Sequence, residues 1–337
     1  MRYLGVDLHS NNFMVCVLSD NGEQTFKRYK LSELAEFKGF LDLGDRVAVE
    51  ATGNTRFFYN QIVSLVAECV VVNPSQFEVI KQSFKKTDKN DAEALARFLS
   101  KGLLPSSRMK DELHAEVNSL ANTRDKLVKL RTTLLNKIHA HLKGAGYESR
   151  KEAYDHPANL RKVLSLNWSV AVRIELEVIV NQIHSLTEGI TKLEKEITER
   201  GSEINGYENL KSIKGIGNYS AAVLLSVIGD INDFSDEDKL ASYFGIVPRV
   251  SNSNQTQHYG GITKRGSKLA RTVLVQCTLT AKRFSPYLKQ YYERIKERRG
   301  SSKAIIATAR KFLGIIYRTL KYKWVFSDFP NFVLAEQ

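Results

Sequence analysis

Thr87-Asp88-Lys89-Asn90-Asp91-Ala92 places two carboxylates three positions apart at the start of a helical run, Ala92, Ala94, Leu95, Phe98 and Leu99. Residues i and i+3 share a helix face, so Asp88 and Asp91 point into one volume. Like charges held together repel unless a cation neutralises them. Lys85, Lys86 and Lys89 flank the pair, but an ammonium group cannot supply the oxygen-ligated coordination of a hard divalent ion such as Mg2+. A capped, solvated helix N-terminus uses the same residue types. What separates the two readings lies upstream.

Tyr3-Leu4-Gly5-Val6-Asp7-Leu8 is a short apolar run closing on an acid, and Phe13 to Leu18 is a second apolar run. Asp20-Asn21-Gly22 marks a hairpin turn before a third strand, Gln24 to Tyr29. Leu31 to Leu43 steps at helical spacing, with Ser32 as its expected N-cap. Arg46-Val47-Ala48-Val49-Glu50 is a fourth strand, again closing on an acid; a helix (Phe57 to Ala67) and a strand (Cys69 to Val72) follow. The order β-β-β-α-β-α-β-α is that of an RNase H-like domain. Ligands of open α/β sheets collect beyond the strand ends, so Asp7 and Glu50 join Asp88 and Asp91 in an expected four-carboxylate site. Such a site holds two Mg2+ ions for in-line phosphoryl displacement.

Composition agrees with a polyanionic partner. The 337 residues carry 50 Lys+Arg against 37 Asp+Glu, a formal net charge of +13, spread along the chain and not gathered in one tail. Cys16, Cys69 and Cys277 are far apart in apolar contexts and read as buried free thiols, with no zinc spacing. The N-terminus runs straight into a strand pattern, unlike a signal peptide. No stretch approaches the ~20 apolar residues that span a bilayer, so a membrane role is not expected and a cytoplasmic one is.

Beyond Pro105 a long helix is expected from Asp111 to Lys143, then a polar loop from Tyr147 to Pro157. Leu176, Ile179, Ile183, Leu186, Ile190, Leu193 and Ile197 then form a heptad seam, which requires a partner helix. That partner is either the helix of 111–143 or another subunit. Leu210 to Ala222 reads as helix, Gly-x-Gly turn and helix, the pattern of a helix-hairpin-helix DNA-binding motif. There Lys214, Gly215 and Gly217 would let a phosphate approach the backbone. Arg249 to Thr256 is a polar stretch without period, expected as a loop. Tyr259-Gly260-Gly261-Ile262-Thr263-Lys264-Arg265-Gly266-Ser267 opens a helix to about Lys282, with Lys264 and Arg265 as phosphate contacts and Ser267 as cap. Trp324 and Phe326 read as packing residues.

The blocks Gly5-Val6-Asp7-Leu8-His9, Glu50-Ala51-Thr52-Gly53, Thr87 to Ala92 and Gly260 to Gly266 resemble the insertion-sequence 110 family of transposases, the DEDD group related to the Piv site-specific invertases. The resemblance covers nearly the whole chain. It implies a RuvC-like domain whose tetrad is Asp7, Glu50, Asp88 and Asp91, with two Mg2+ for which Mn2+ can substitute. It also implies a nucleophilic serine in a small-residue loop before the Gly-rich block. Counting back from Gly260 puts Ser253 there, with Ser251 as the alternative; Asn254 stands where the family has glycine. Further implications are a coiled coil assembling dimers or a tetramer, and a composite site shared between protomers. The family also uses a bridge RNA that pairs with donor and target DNA, and it acts on the bacterial or archaeal nucleoid.

The expected organisation is therefore α/β plus α: a RuvC-like catalytic domain at 1–110, a coiled-coil region at 111–204, and a largely helical C-terminal domain at 205–337 carrying the helix-hairpin-helix and the serine. The expected function is a DNA transposase working through a phosphoserine intermediate. The alternatives are a RuvC-type junction endonuclease using water, and a binding protein with an inactive RNase H-like domain.

Overall fold

Alternation of apolar residues on both faces makes Arg2–Leu8 (β1) a central strand. Asn12–Ser19 (β2) returns antiparallel beside it, and Gln24–Lys30 (β3) beside β2, across a turn in which Gly22 takes φ +87°. Arg46–Glu50 (β4) lies parallel to β1, and Glu68–Val72 (β5) parallel to β4. The five-stranded sheet has the order β3-β2-β1-β4-β5. The computed structural model describes residues 1–74, 77, 87–105, 107, 109–147, 157–253 and 256–335, with the backbone alone at 157–158, 250–253 and 256–259. The chain divides into two compact units, Met1–Met109 and Lys110–Gln337.

In the first unit each sheet face has its own cover. Leu4, Val6 and Leu8 point to the side packed by Leu34 and Phe37 of α1 (Leu34–Phe40) and by Phe58 and Ile62 of α2 (Thr55–Ile62). Ala48, Val72 and Cys16 point to the opposite side, where α3 (Asp88–Ser100) lays down Ala92, Leu95, Ala96 and Leu99. The expected helix over Leu31–Leu43 is shorter. A 3-10 turn, Leu31–Glu33, precedes α1, and Ser32 lies within that turn instead of capping. The Glu33 carboxylate accepts the Lys30 N–H at 2.8 Å and sets this tighter entry.

The second unit opens with α4 (Glu112–Gly144), capped by Asp111, which accepts the His114 N–H. Residues 148–156 of the expected loop lie outside the described residues, and helix α5 (Pro157–Leu164), not expected, follows them. Helix α6 (Val170–Ser202), capped by Ser169, carries the heptad seam. Leu176, Ile179, Ile183, Ile190 and Ile197 are buried. The seam has its partner in the same chain: α6 runs antiparallel to α4, joined by Arg124–Glu194 at one end and by Lys137–Glu175, 3.1 Å, at the other. Gly189 lies directly over Leu127 between them.

The remainder is a helical assembly: α7 (Tyr207–Lys211), α8 (Asn218–Ile228), α9 (Glu237–Tyr243), α10 (Lys268–Phe284), α11 (Pro286–Arg299) and α12 (Ser301–Lys321). Its core includes Leu224, Phe244, Leu274 and Phe312. Phe326 packs with Trp324 and Phe329, as its aromatic character suggested. The Lys110 ammonium donates to the carbonyls of Ser226 and Val227 at 2.6 and 2.7 Å, on the carbonyl end of α8. The expected loop at Arg249–Thr256 is instead a hairpin of β6 (Pro248–Ser253) and β7 (Thr256–Ile262). Polar residues stand at both parities of these strands, so no period-2 signal announces them. Of the cysteines, Cys16 and Cys277 are buried and Cys69 only half-buried, all as free thiols. Burial pushes Cys16 up to about 11 and Cys69 up to about 12. Among the described residues no helix is long and apolar enough to cross a membrane.

Candidate metal centre and nucleic-acid contacts

Side chains alternate along a strand, so Asp7 projects from the same face as Gly5, and Glu50 from the same face as Ala48. This is the α3 face. Strands β1 and β4 are parallel with Val6 opposite Val49, which sets Asp7 and Glu50 side by side at the two strand ends. Gly5 then determines how close α3 comes. A Cβ at Gly5 would stand 2.0 Å from the Ala92 carbonyl oxygen and 2.5 Å from the Ala96 nitrogen. The helix rests on bare backbone, and its first turn arrives over the end of β1.

That turn is fixed by Thr87, whose hydroxyl accepts the Asn90 N–H at 3.2 Å. Asp88 and Asp91 therefore occupy the positive end of the helix, where carboxylates are favoured. Asp91 is buried, at 7% exposure, as is Asp7. The tightest grouping comprises Asp7, His9 and Asp88, whose ligand atoms all lie within 4.8 Å of one another. His9 Nε2 lies 3.2 Å from Asp7 and 3.3 Å from Asp88, and Arg28 donates to Asp88 at 2.8 Å. Partial burial pushes the Asp88 carboxyl up, but the neighbouring His9 and Arg28 outweigh it and leave the group below its ordinary 3.8. Glu50 and Asp91 stand outside this tight group.

Two corrections follow. Among the described residues, the groups beside the acids are the His9 imidazole and the Arg28 guanidinium. Lys89 instead lies over the Phe26 ring, 4.3 Å from its centroid, while Lys85 and Lys86 fall outside the described residues. And His9, given no role from the sequence, is the residue that bridges two of the acids. Its signal was available: two positions beyond Asp7, it shares that residue's parity. The donor set suits a hard divalent ion, since two carboxylates converge on one small volume and offer it oxygen ligands. A cavity of about 380 Å3 opens beside it, between Leu8-His9-Ser10 and Thr52-Gly53-Asn54, beyond the ends of β1 and β4. Asn54 ties the two loops by donating to the His9 carbonyl at 2.8 Å.

The other expected contacts belong to the second unit. Gly215 takes φ +114°, and a Cβ there would stand 2.7 Å from the Ala281 nitrogen, so close packing against α10 accounts for this glycine. Gly217 has open space around it at the start of α8. Lys214 is exposed, its ammonium 5.5 Å from the Phe284 ring centroid. Lys264 and Arg265 form an exposed turn before α10, Lys264 with φ +57°. Ser267 caps α10, accepting the Ala270 N–H at 3.2 Å. Ser251 and Ser253 both lie on β6, paired with His258 and Thr256 respectively; Asn254 is outside the described residues.

Carboxylates gathered past parallel strand ends, together with a basic helical unit, are the arrangement expected of a DEDD transposase, and a DEDD transposase model of IS110 type matches residues 4–146. A second model, the transposase IS116/IS110/IS902 family, matches residues 207–293, and the chain belongs to this IS110-type family. It is 26% identical over 328 residues to the transposase for insertion sequence element IS1111A of Coxiella burnetii, covering 95% of this chain and 90% of that one. Over 282 residues it is 26% identical to the transposase for IS1328 of Yersinia enterocolitica, covering 81% and 82%. It is also 25% identical over 351 residues to the pilin gene-inverting protein of Moraxella lacunata, covering 95% of each.

Proposed function

We propose that this chain is the transposase of an insertion element and rearranges DNA by metal-dependent phosphoryl transfer through a serine. The convergence of Asp7 and Asp88 at the end of β1, on the sheet face that also bears Glu50, carries this reading. The β-β-β-α-β-α-β order agrees with an RNase H-like, RuvC-like first domain at 1–110. In this reading Asp7, Glu50, Asp88 and Asp91 hold the metal, and Arg28 orients Asp88. Two Mg2+ ions, or Mn2+ in their place, would polarise the phosphate and steady the attacking and leaving oxygens.

Ser253 is the proposed nucleophile. Its Oγ–P bond forms as the P–O bond to one sugar breaks, the serine loses its proton and the leaving sugar oxygen gains one. The phosphoserine keeps the phosphodiester bond's energy, so rejoining to a second strand needs no external source. Lys264 and Arg265, close in sequence to β7, are proposed to balance charge on the phosphate. Lys214 and Gly217 are proposed to hold the DNA backbone in a helix-hairpin-helix, a contact that positions without reading sequence. Donor and target sequence would be read by a bridge RNA through base pairing, with the net charge of +13 suited to holding both nucleic acids. The region at 111–204 would add subunit pairing as a coiled coil in a dimer or tetramer, with the site shared between protomers and the C-terminal domain starting near 205.

The test is a DNA–protein adduct assay on element-end DNA with Mg2+. Ser253→Ala should lose the adduct at an unchanged melting temperature, and Asp7→Asn should lose both adduct and Mn2+ binding. If Ser253→Ala and Ser251→Ala both retain strand exchange, water is the attacking group and the junction-endonuclease reading replaces this one.

A further inference from the structure

Two cavities of the second unit meet at Lys268, the first residue of α10. One, about 490 Å3, has aliphatic walls from Ile246, Ile262, Val275 and Ile306, with Thr272 and Gln276 at its rim and Lys264 and Lys268 at its mouth. The other, about 480 Å3, has mixed walls that include Val227 and Leu269, and Lys126, Lys129 and Lys268 line it with Asp125 and Ser267. Among the described residues Lys126 and Lys268 have no ion-pair partner, whereas Lys129 is held by Asp125. The loops leading into α10 are tied together by hydrogen bonds and close backbone contact. Arg271 Nη1 donates to the carbonyls of Phe244, Arg265 and Gly266 at 3.0, 3.1 and 3.1 Å. Gly245 and Gly266 allow the two loops to interlock: a Cβ on Gly245 would meet the Arg265 carbonyl at 1.8 Å, and one on Gly266 the Tyr243 carbonyl at 2.1 Å.

We propose that these paired cavities bind one unpaired nucleotide, its base between the aliphatic walls and its phosphate on Lys126 and Lys268. An aliphatic slot with a few polar groups at the rim suits a flat heterocycle with hydrogen-bonding edges. The adjoining unpaired lysines suit a phosphate. Neither cavity alone selects a nucleotide; their junction at one lysine does. Thr272, Val275 and Gln276 stand at i, i+3 and i+4 on α10 and so present one face to the base. The slot is also distinct from the proposed nucleophile. Pro248 pairs with Ile262 beside it, and Ser253 lies five residues further along β6, about 17 Å away at strand rise. The base held here is therefore not at the phosphate attacked. It anchors a strand that is already open, from either DNA or RNA.

This inference rests on the nucleic-acid role proposed above but needs neither metal nor serine. The experiment measures binding of the full chain in chelator to an oligothymidylate strand, to the same strand without bases, and to an oligouridylate. Wild type should bind a base-bearing strand at least about tenfold tighter than the base-free one, about 1.4 kcal/mol, as burial of a base face against apolar walls gives. The tighter of DNA and RNA identifies the source. Val275→Trp, which fills the slot, should abolish that preference and leave base-free binding unchanged, whereas Lys268→Ala should weaken all strands alike. Gln276→Ala, at an exposed rim position, gives a second reading independent of core packing: the preference for the base-bearing strand over the base-free one should shrink. No base preference in the wild type, or one untouched by both Val275→Trp and Gln276→Ala, overturns the proposal. Loss of strand exchange in Ser253→Ala with base preference intact would concern only the catalytic reading.

Discussion

A hydrogen atom at position 5 determines whether the acids meet. Gly5→Ala forces α3 off β1, since its Cβ would overlap the Ala92 carbonyl. We expect a loss of about 1–3 kcal/mol or more in the unfolding free energy, seen by urea titration, together with weaker Mn2+ binding. Asp88 gives a second test at this scale. Its carboxyl is depressed in the folded chain, so its contribution is present above the unfolded value and is lost as pH falls through the lower folded value, below about pH 4. Arg28→Ala should move its titration upward in carboxyl NMR, and a titration that did not move would assign the depression to His9 alone. That Asp7 and Asp88 come together could be read from the chain because strand ends and helix starts have simple grammar. His9 shares the parity of Asp7 two positions on, but that spacing names no partner; only the return of α3 over β1 gives it two acids to touch.

At the level of elements, the heptad seam was legible because burial on one stripe imposes a period. Its choice between two partners was not, since a seam specifies a surface and not its owner. The folded chain supplies α4 as the partner. Ile183→Ala, at a fully packed seam position, should cost about 2–5 kcal/mol in the unfolding of the second unit. Val178→Ser, on the exposed side of the same helix at 58% exposure, should change it by less than about 0.5 kcal/mol. A comparable loss from both would mean that the outer side is also covered in solution. The β6–β7 ribbon escaped sequence reading for the opposite reason. Backbone pairing holds it, and its side-chain pattern carries no period.

For the whole molecule the informative quantity is charge. A surplus of thirteen cations, nearly all of it in the second unit, predicts nucleic-acid affinity that falls steeply with salt. If six to ten phosphates are neutralised, affinity should drop by about 10^3–10^5 between 50 and 200 mM salt, measured by fluorescence anisotropy. A flat response would mean that the charge serves solubility instead.

The ammonium of Lys110 on the last carbonyls of α8 has a practical consequence for dividing the gene. A fragment that begins at Lys110 brings its own staple for that helix end. One that begins at Asp111, although every helix and the α4 cap are retained, leaves those two oxygens to bulk water and should melt at a lower temperature.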